Sequence, residues 1–210
     1  LDPQGLTNLI YGLAVLLHKH EPFLCSFCAH LPARVEALLP QHTSNITSAL
    51  SRLRWRDLEV LRSLAGGAVS RLPEFHFHNV SNILCAFGTL WFRCQVFLDT
   101  AVLHCVELVE HSASKDLANL FHAAALLDWK SERVLLAASQ HATRQIEHFK
   151  PEELSLIAFA CGILDWHEDR LLLALAGQAA RSIDSFTAQN MVHTIHAFAV
   201  LGYRSQTLLV

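Results

Sequence analysis

The sequence has no excess of charge of either sign: 16 Lys and Arg stand against 19 Asp and Glu, a net charge of −3 at pH 7 with His neutral. Bulk charge alone therefore cannot hold a polyanion, and any such contact must come from local placement of cations. The chain also lacks a run of about 18 uncharged apolar residues, which argues against a membrane-spanning helix. The longest apolar stretch, 154–164, is too short, although 52% of the residues are hydrophobic. No signal or transit pattern opens the chain, which starts LDP without Met; because it also stops inside a repeating element at Val210, a piece of a longer protein is expected.

Chemistry-bearing constellations are missing as well. Six cysteines, at 25, 28, 85, 94, 105 and 161, lie mostly at apolar positions. A chain of this size buries its own core without disulfides, and a buried free Cys behaves as a small hydrophobe. The CSFC at 25–28 has metal-pair spacing but no second pair at a matching distance, so core packing is expected there. The 14 histidines, including the pairs His18/His20 and His76/His78, form no complete ligand set, and no metal or cofactor is expected. Gly66 and Gly67 are not followed by the Lys and Ser/Thr of a phosphate loop. WHED at 166–169 reads as a solvated turn. With no nucleophile and base, and no carboxylate pair in a cleft, an enzyme is not expected.

What the sequence does have is a period. Shifted by 37 residues, LANL at 117–120 falls on LTNL at 6–9, VSNI at 80–83 and LSLI at 154–157, with weaker copies from Thr43 and Met191. A fixed period of this size marks repeats that bury their apolar faces only against one another. Positions are numbered here by their residue in the first unit. Leu holds position 16 (Leu16, Leu53, Leu90, Leu127, Leu164, Leu201), a ring holds position 18 (His18, Trp55, Phe92, Trp129, Trp166, Tyr203), and Gly, Ala or Ser holds positions 12 and 14. The first half of each unit reads as a helix of about 14 residues, apolar over most of its circumference, and is called helix A. A charged turn and an amphipathic helix B follow, the latter anchored by Leu24, Leu61, Leu98, Leu135, Leu172 and Leu209. Prolines 40, 73 and 151 separate helix B from the next helix A. The expected fold is all-α: a single domain over 1–210, built as a right-handed α-solenoid with units at 4–40, 41–77, 78–114, 115–151, 152–188 and, in part, 189–210.

On helix A, positions 4, 8, 11 and 15 share one stripe, since spacings of three and four bring side chains to the same face. Position 4 carries Gln4, Gln41, His78, Lys115, Glu152 and Gln189; position 8 carries Asn8, Asn45, Asn82, Asn119, Leu156 and His193; position 11 includes Tyr11, Ser48, His122 and His196. Amides read base edges and rings stack on bases, as in helical repeats that take single-stranded RNA at one base per repeat. The alternative is an Asn column that bonds the neighbouring helix. Twelve of the 16 basic residues are Arg, and Arg52, Arg54 and Arg56 cluster at the A–B turn of the second unit, suited to bidentate phosphate contact.

The helix A pattern, as in DLANLFHAAALLDW at 116–129 and NVSNILCAFGTLW at 79–91, resembles the octotricopeptide family and its relative, the heptatricopeptide family, whose 37-residue form it is similar to. The resemblance implies an RNA-binding protein of the mitochondrion, or alternatively the plastid, with no enzymatic activity of its own in these repeats. Such a protein would act in RNA maturation, stability or translation, or as a structural part of a mitochondrial ribosome, on single-stranded or ribosomal RNA. Partners would be that RNA and other proteins of an organellar ribonucleoprotein, with no membrane. The candidate RNA contacts are Gln4, Asn8, Tyr11, Gln41, Asn45, Ser48, Arg52, Arg54, Arg56, His78, Asn82, Lys115, Asn119, His122, Gln189, His193 and His196. A protein-binding scaffold of the same repeat type is the alternative.

Overall fold

The computed structural model describes residues 2–203, and these form an all-α structure without a strand among them. Eleven α-helices alternate in two sets. The A helices are α1 (Pro3–Val15), α3 (Pro40–Arg52), α5 (Phe77–Thr89), α7 (Ser114–Leu127), α9 (Pro151–Leu164) and α11 (Ala188–Val200). The B helices are α2 (Glu21–His30), α4 (Leu58–Ser70), α6 (Gln95–Leu108), α8 (Glu132–Arg144) and α10 (Asp169–Arg181). Each A helix packs on the next A helix, α4 through α10 pack on one another in the same way, and four A helices touch the B helix that follows them. The rest of the sixth unit from 204 on, with Leu209, lies outside the described residues.

The helices start where local chemistry prepares them. Pro3, Pro40 and Pro151 open α1, α3 and α9 at the first turn, where the missing N–H would have no partner. Pro73 instead sits in a short 3-10 turn, Leu72–Glu74, and every described B helix is followed by such a turn. The third residue of an A helix reaches back to the free N–H just before it: Asn79 Oδ1 accepts from the His76 N–H at 3.2 Å, and Glu153 Oε2 from the Lys150 N–H at 3.0 Å. That satisfies one of the donors a helix start leaves without a partner.

They stop by one device throughout. Position 17 is left-handed in all six units: Leu17, Arg54, Trp91, Asp128, Asp165 and Gly202 have φ between 48° and 61°. The next residue, the ring at position 18, donates its N–H to the carbonyl five residues back, at 2.8 to 3.0 Å in each case. This 6→1 bond with a left-handed residue before it is the Schellman termination. At two of these ends the ring meets the helix it terminates, Phe92 against Phe87 edge-on at 4.9 Å and Tyr203 against Phe198 at 5.4 Å, whereas the Trp166 Nε1–H donates to Ser139 Oγ of α8 at 3.0 Å.

The core follows the Leu columns. Leu53, Leu90, Leu127, Leu164 and Leu201 are buried, as are Leu24, Leu61, Leu98, Leu135 and Leu172. Leu16 departs from this pattern and is 76% exposed. The small columns set how close the A helices come. A Cβ on Gly88 would sit 2.7 Å from Leu126 Cβ of α7, and one on Gly162 would sit 3.1 Å from Ala197 Cα of α11. Gly66, inside α4, has nothing within 4 Å of that point.

These two environments predict opposite results for the same substitution. Gly66→Ala should raise stability by about 0.5–1 kcal/mol, the helix-interior cost of Gly. Gly88→Ala should lower it by roughly 1–3 kcal/mol through overpacking. Urea unfolding midpoints decide, and a stabilised Gly88→Ala would mean that α5 and α7 are not in close contact there.

Candidate nucleic-acid interface

Burial along the A helices isolates one partly open stripe. In α7, Leu117, Ala118, Leu120, Phe121, Ala123 and Ala124 are buried, whereas Lys115 is exposed and Asn119 and His122 are half-buried. The flanks are buried in the same way in α3, α5 and α9, whereas Leu9 on α1 and Met191, Val192 and Ile195 on α11 are exposed. Gln4, Gln41, His78, Lys115 and Gln189 are exposed; Asn45, Asn82, Asn119 and His193 are half-buried; Ser48 and His122 are half-buried, and Asn8, Tyr11 and His196 are exposed.

The amides do not all stand free. Asn119 Nδ2 donates to Asn82 Oδ1 at 3.1 Å, joining α7 to α5. This is the helix-to-helix bond that an Asn column can make, and it uses one group of each amide. Asn82 Nδ2 and Asn119 Oδ1 remain, a donor and an acceptor on adjacent helices. Gln4 is more fully engaged: its Nε2 donates to Asn8 Oδ1 at 2.8 Å, and its Oε1 accepts from His42 Nε2 at 2.9 Å. His42 Nδ1 accepts the Leu39 N–H at 3.3 Å, which places the ring proton on Nε2. Asn79 Nδ2 reaches His78 Nε2 at 3.0 Å and Ser44 Oγ at 3.2 Å.

Rings gather where the amides thin out. Phe159, at position 11 of the fifth unit, lies 4.8 Å from His193 and 6.5 Å from His196 between ring centroids. His122 Nδ1 is buried and has no hydrogen-bond partner. Loss of hydration on burial holds the His122 pKa below the ordinary imidazole value, and the nearby His193 adds to this.

The three clustered arginines of the second unit, Arg52, Arg54 and Arg56, separate by role. Arg52 and Arg54 are exposed, and no ion pair or hydrogen bond engages either guanidinium among the described residues. Arg56, although exposed, donates from Nε to the Leu90 carbonyl at 2.9 Å and from Nη2 to the Trp91 carbonyl at 3.4 Å. Arg93 makes the same contact one unit on, to the carbonyls of Leu127 and Asp128. A guanidinium there meets carbonyls that the helix end leaves open and the negative end of the helix dipole. Arg56, expected to hold phosphate, thus ties one unit to the next. Arg93 was missed by the sequence reading, and its 37-residue offset from Arg56 was the available signal.

Thiol chemistry is suppressed where the cysteines are buried. Desolvation pushes the Cys28 thiol up to about 11, against a lowering contact from Trp55, and pushes Cys105 and Cys161 up to about 12. Among the described residues, no three His, Cys, Asp or Glu side chains converge as a metal site would require. No helix among them is long and apolar enough to cross a membrane. No family model matches the chain, and no curated protein matches it.

His122 makes stability depend on pH. Its folded pKa lies below the unfolded value of 6.5, so its contribution is present above 6.5 and is lost as pH falls through the folded value. The urea midpoint of the wild type should therefore drop more between pH 7 and pH 5 than that of His122→Phe, which carries the ring found at position 11 of the fifth unit. Equal drops in the two proteins would remove His122 as the cause.

Proposed function

We propose that the chain is a right-handed α-solenoid of 37-residue helical units whose A-helix stripe binds single-stranded or ribosomal RNA in an organellar ribonucleoprotein. The repeat reading is supported by helix starts: A helices begin at 3, 40, 77, 114, 151 and 188, and B helices at 21, 58, 95, 132 and 169. The binding reading rests on one observation, the partly open stripe of amides and rings that runs from α1 to α11, with buried flanks from α3 to α9. Helices at about 8–10 Å spacing put six units over roughly 50 Å, room for about six nucleotides at one base each. Arg52 and Arg54 are the free cations beside it. The mitochondrion, with the plastid as alternative, and membership of a ribosome come from the family resemblance of the helix A pattern.

The scaffold reading is favoured by a specific pair of facts. The Asn82–Asn119 bond and the contacts of Arg56 use groups that RNA would need for reading helix against helix. The stripe keeps Asn45, Lys115, His122 and one group of each paired amide for a ligand, which is why we favour RNA.

Binding of short RNAs by the folded protein at two salt concentrations tests this. Asn82→Ala or Asn119→Ala should weaken a preferred sequence by about 1–3 kcal/mol where the remaining amide group pairs with a base edge. Arg52→Gln and Arg54→Gln should weaken all sequences alike and reduce the salt slope, by about 0.7 for each phosphate no longer engaged. A folded wild type that binds no RNA would leave the scaffold reading.

A further inference from the structure

Between the C-terminal ends of α3, α5 and α7 lies a cavity of about 500 Å³, lined by Arg54, Arg56, Thr89, Trp91, His122 and Leu126. Three successive units contribute to it. Its size is that of a small-molecule site. Its lining combines an exposed aromatic face, a free cation and a polar ring.

Trp91 is the unexplained member. It is 79% exposed, more than any other large hydrophobic side chain described. Its backbone is left-handed at φ 54°, a conformation that costs an L-residue roughly 1–2 kcal/mol. Asp128, Asp165 and Gly202, types that adopt this conformation readily, fill the same position in the later units, and Leu17 and Arg54 fill it in the first two. Neither core packing nor helix termination calls for a Trp here. The turn that presents it is held from outside, because Arg56 binds the carbonyls of Leu90 and Trp91. Arg54, left-handed at φ 50° one unit earlier, brings an unengaged guanidinium to the same cavity. His122 lines the cavity too, with its Nδ1 buried and unpartnered.

We infer that this cavity is a nucleotide site, in which a base stacks on Trp91 and its phosphate meets the Arg54 guanidinium. The inference rests on the RNA-binding reading and adds to it one fixed position on the strand. Stacking supplies affinity without choosing among bases, since every base has a π-face. Arg54 adds the charge contact, which is also blind to sequence. Arg56 is a positioning residue that holds the Trp91 turn. The site thus anchors the strand, while the amides of positions 4 and 8 do any reading.

The test uses the full chain and a fluorescein-labelled RNA decamer of mixed sequence, with binding read by anisotropy at two salt concentrations. Trp91→Ala should weaken binding about tenfold, within the range for one stacked base, with the salt slope unchanged. Trp91→Phe, which keeps a ring, should recover most of that loss. Arg54→Gln should weaken binding and lower the salt slope by about 0.7. Intrinsic fluorescence adds a second readout: RNA should quench the wild type, and the quench should shrink in Trp91→Phe, because Trp55, Trp129 and Trp166 are buried or half-buried. Wild-type binding that Trp91→Ala leaves unchanged would overturn the site and leave the RNA reading standing. A wild type that binds no RNA would overturn both. Weakened binding in Trp91→Ala that comes with a lowered melting midpoint, beside an unaffected Arg54→Gln, would make Trp91 structural and also overturn the site.

Discussion

The close approach of consecutive A helices is the constraint on which the rest depends. Where Gly88 faces Leu126 and Gly162 faces Ala197, there is no room for a Cβ without a shift. Helices this close bury nearly everything between them, including polar side chains such as Ser44, Ser81 and Ser155. Those hydroxyls donate to carbonyls of their own helix three residues back, so burial leaves few polar atoms without partners. From α3 to α9 the stripe of positions 4, 8, 11 and 15 stays partly open between buried flanks, and the candidate contacts along the A helices lie on this stripe.

The ends of the A helices matter as much as their flanks. Each ends through a left-handed residue at position 17, and the N–H of position 18 closes the last turn. The carbonyls this leaves exposed become attachment points for an arginine of the preceding unit, as Arg56 and Arg93 show. The same turn carries Arg54 and Trp91 outward. Helix termination, unit-to-unit attachment and the cavity between α3, α5 and α7 are therefore properties of one stretch of backbone. A change there alters more than one of them, which is why the Arg56 contacts bear on the cavity although the guanidinium is directed at backbone carbonyls.

The helical alternation and most of the core were legible in the sequence. Leu61, Leu98 and Leu135 recur at positions whose burial follows from periodicity alone, and Pro40 and Pro151 mark helix starts by their own geometry. Leu16 was misleading, since its column is buried in the other five units, Leu201 at the end of α11 included, and Leu16 is not. The capping role of position 5 was present in the polar run His42, Asn79, Asp116, Glu153 and was passed over.

By itself the sequence determined where helices begin and end, which faces are apolar, and which residues form the open stripe, because these depend on spacings of a few residues along one chain. The tertiary structure alone decided how that stripe is used. It joined Asn82 to Asn119, turned Arg56 to the Leu90 and Trp91 carbonyls, buried His122 Nδ1 without a partner, and set Arg54 and Trp91 around one cavity. Each of those outcomes depends on side chains that lie about one unit or more apart in sequence and meet only when helices pack side by side. Local pattern carries no information on such meetings.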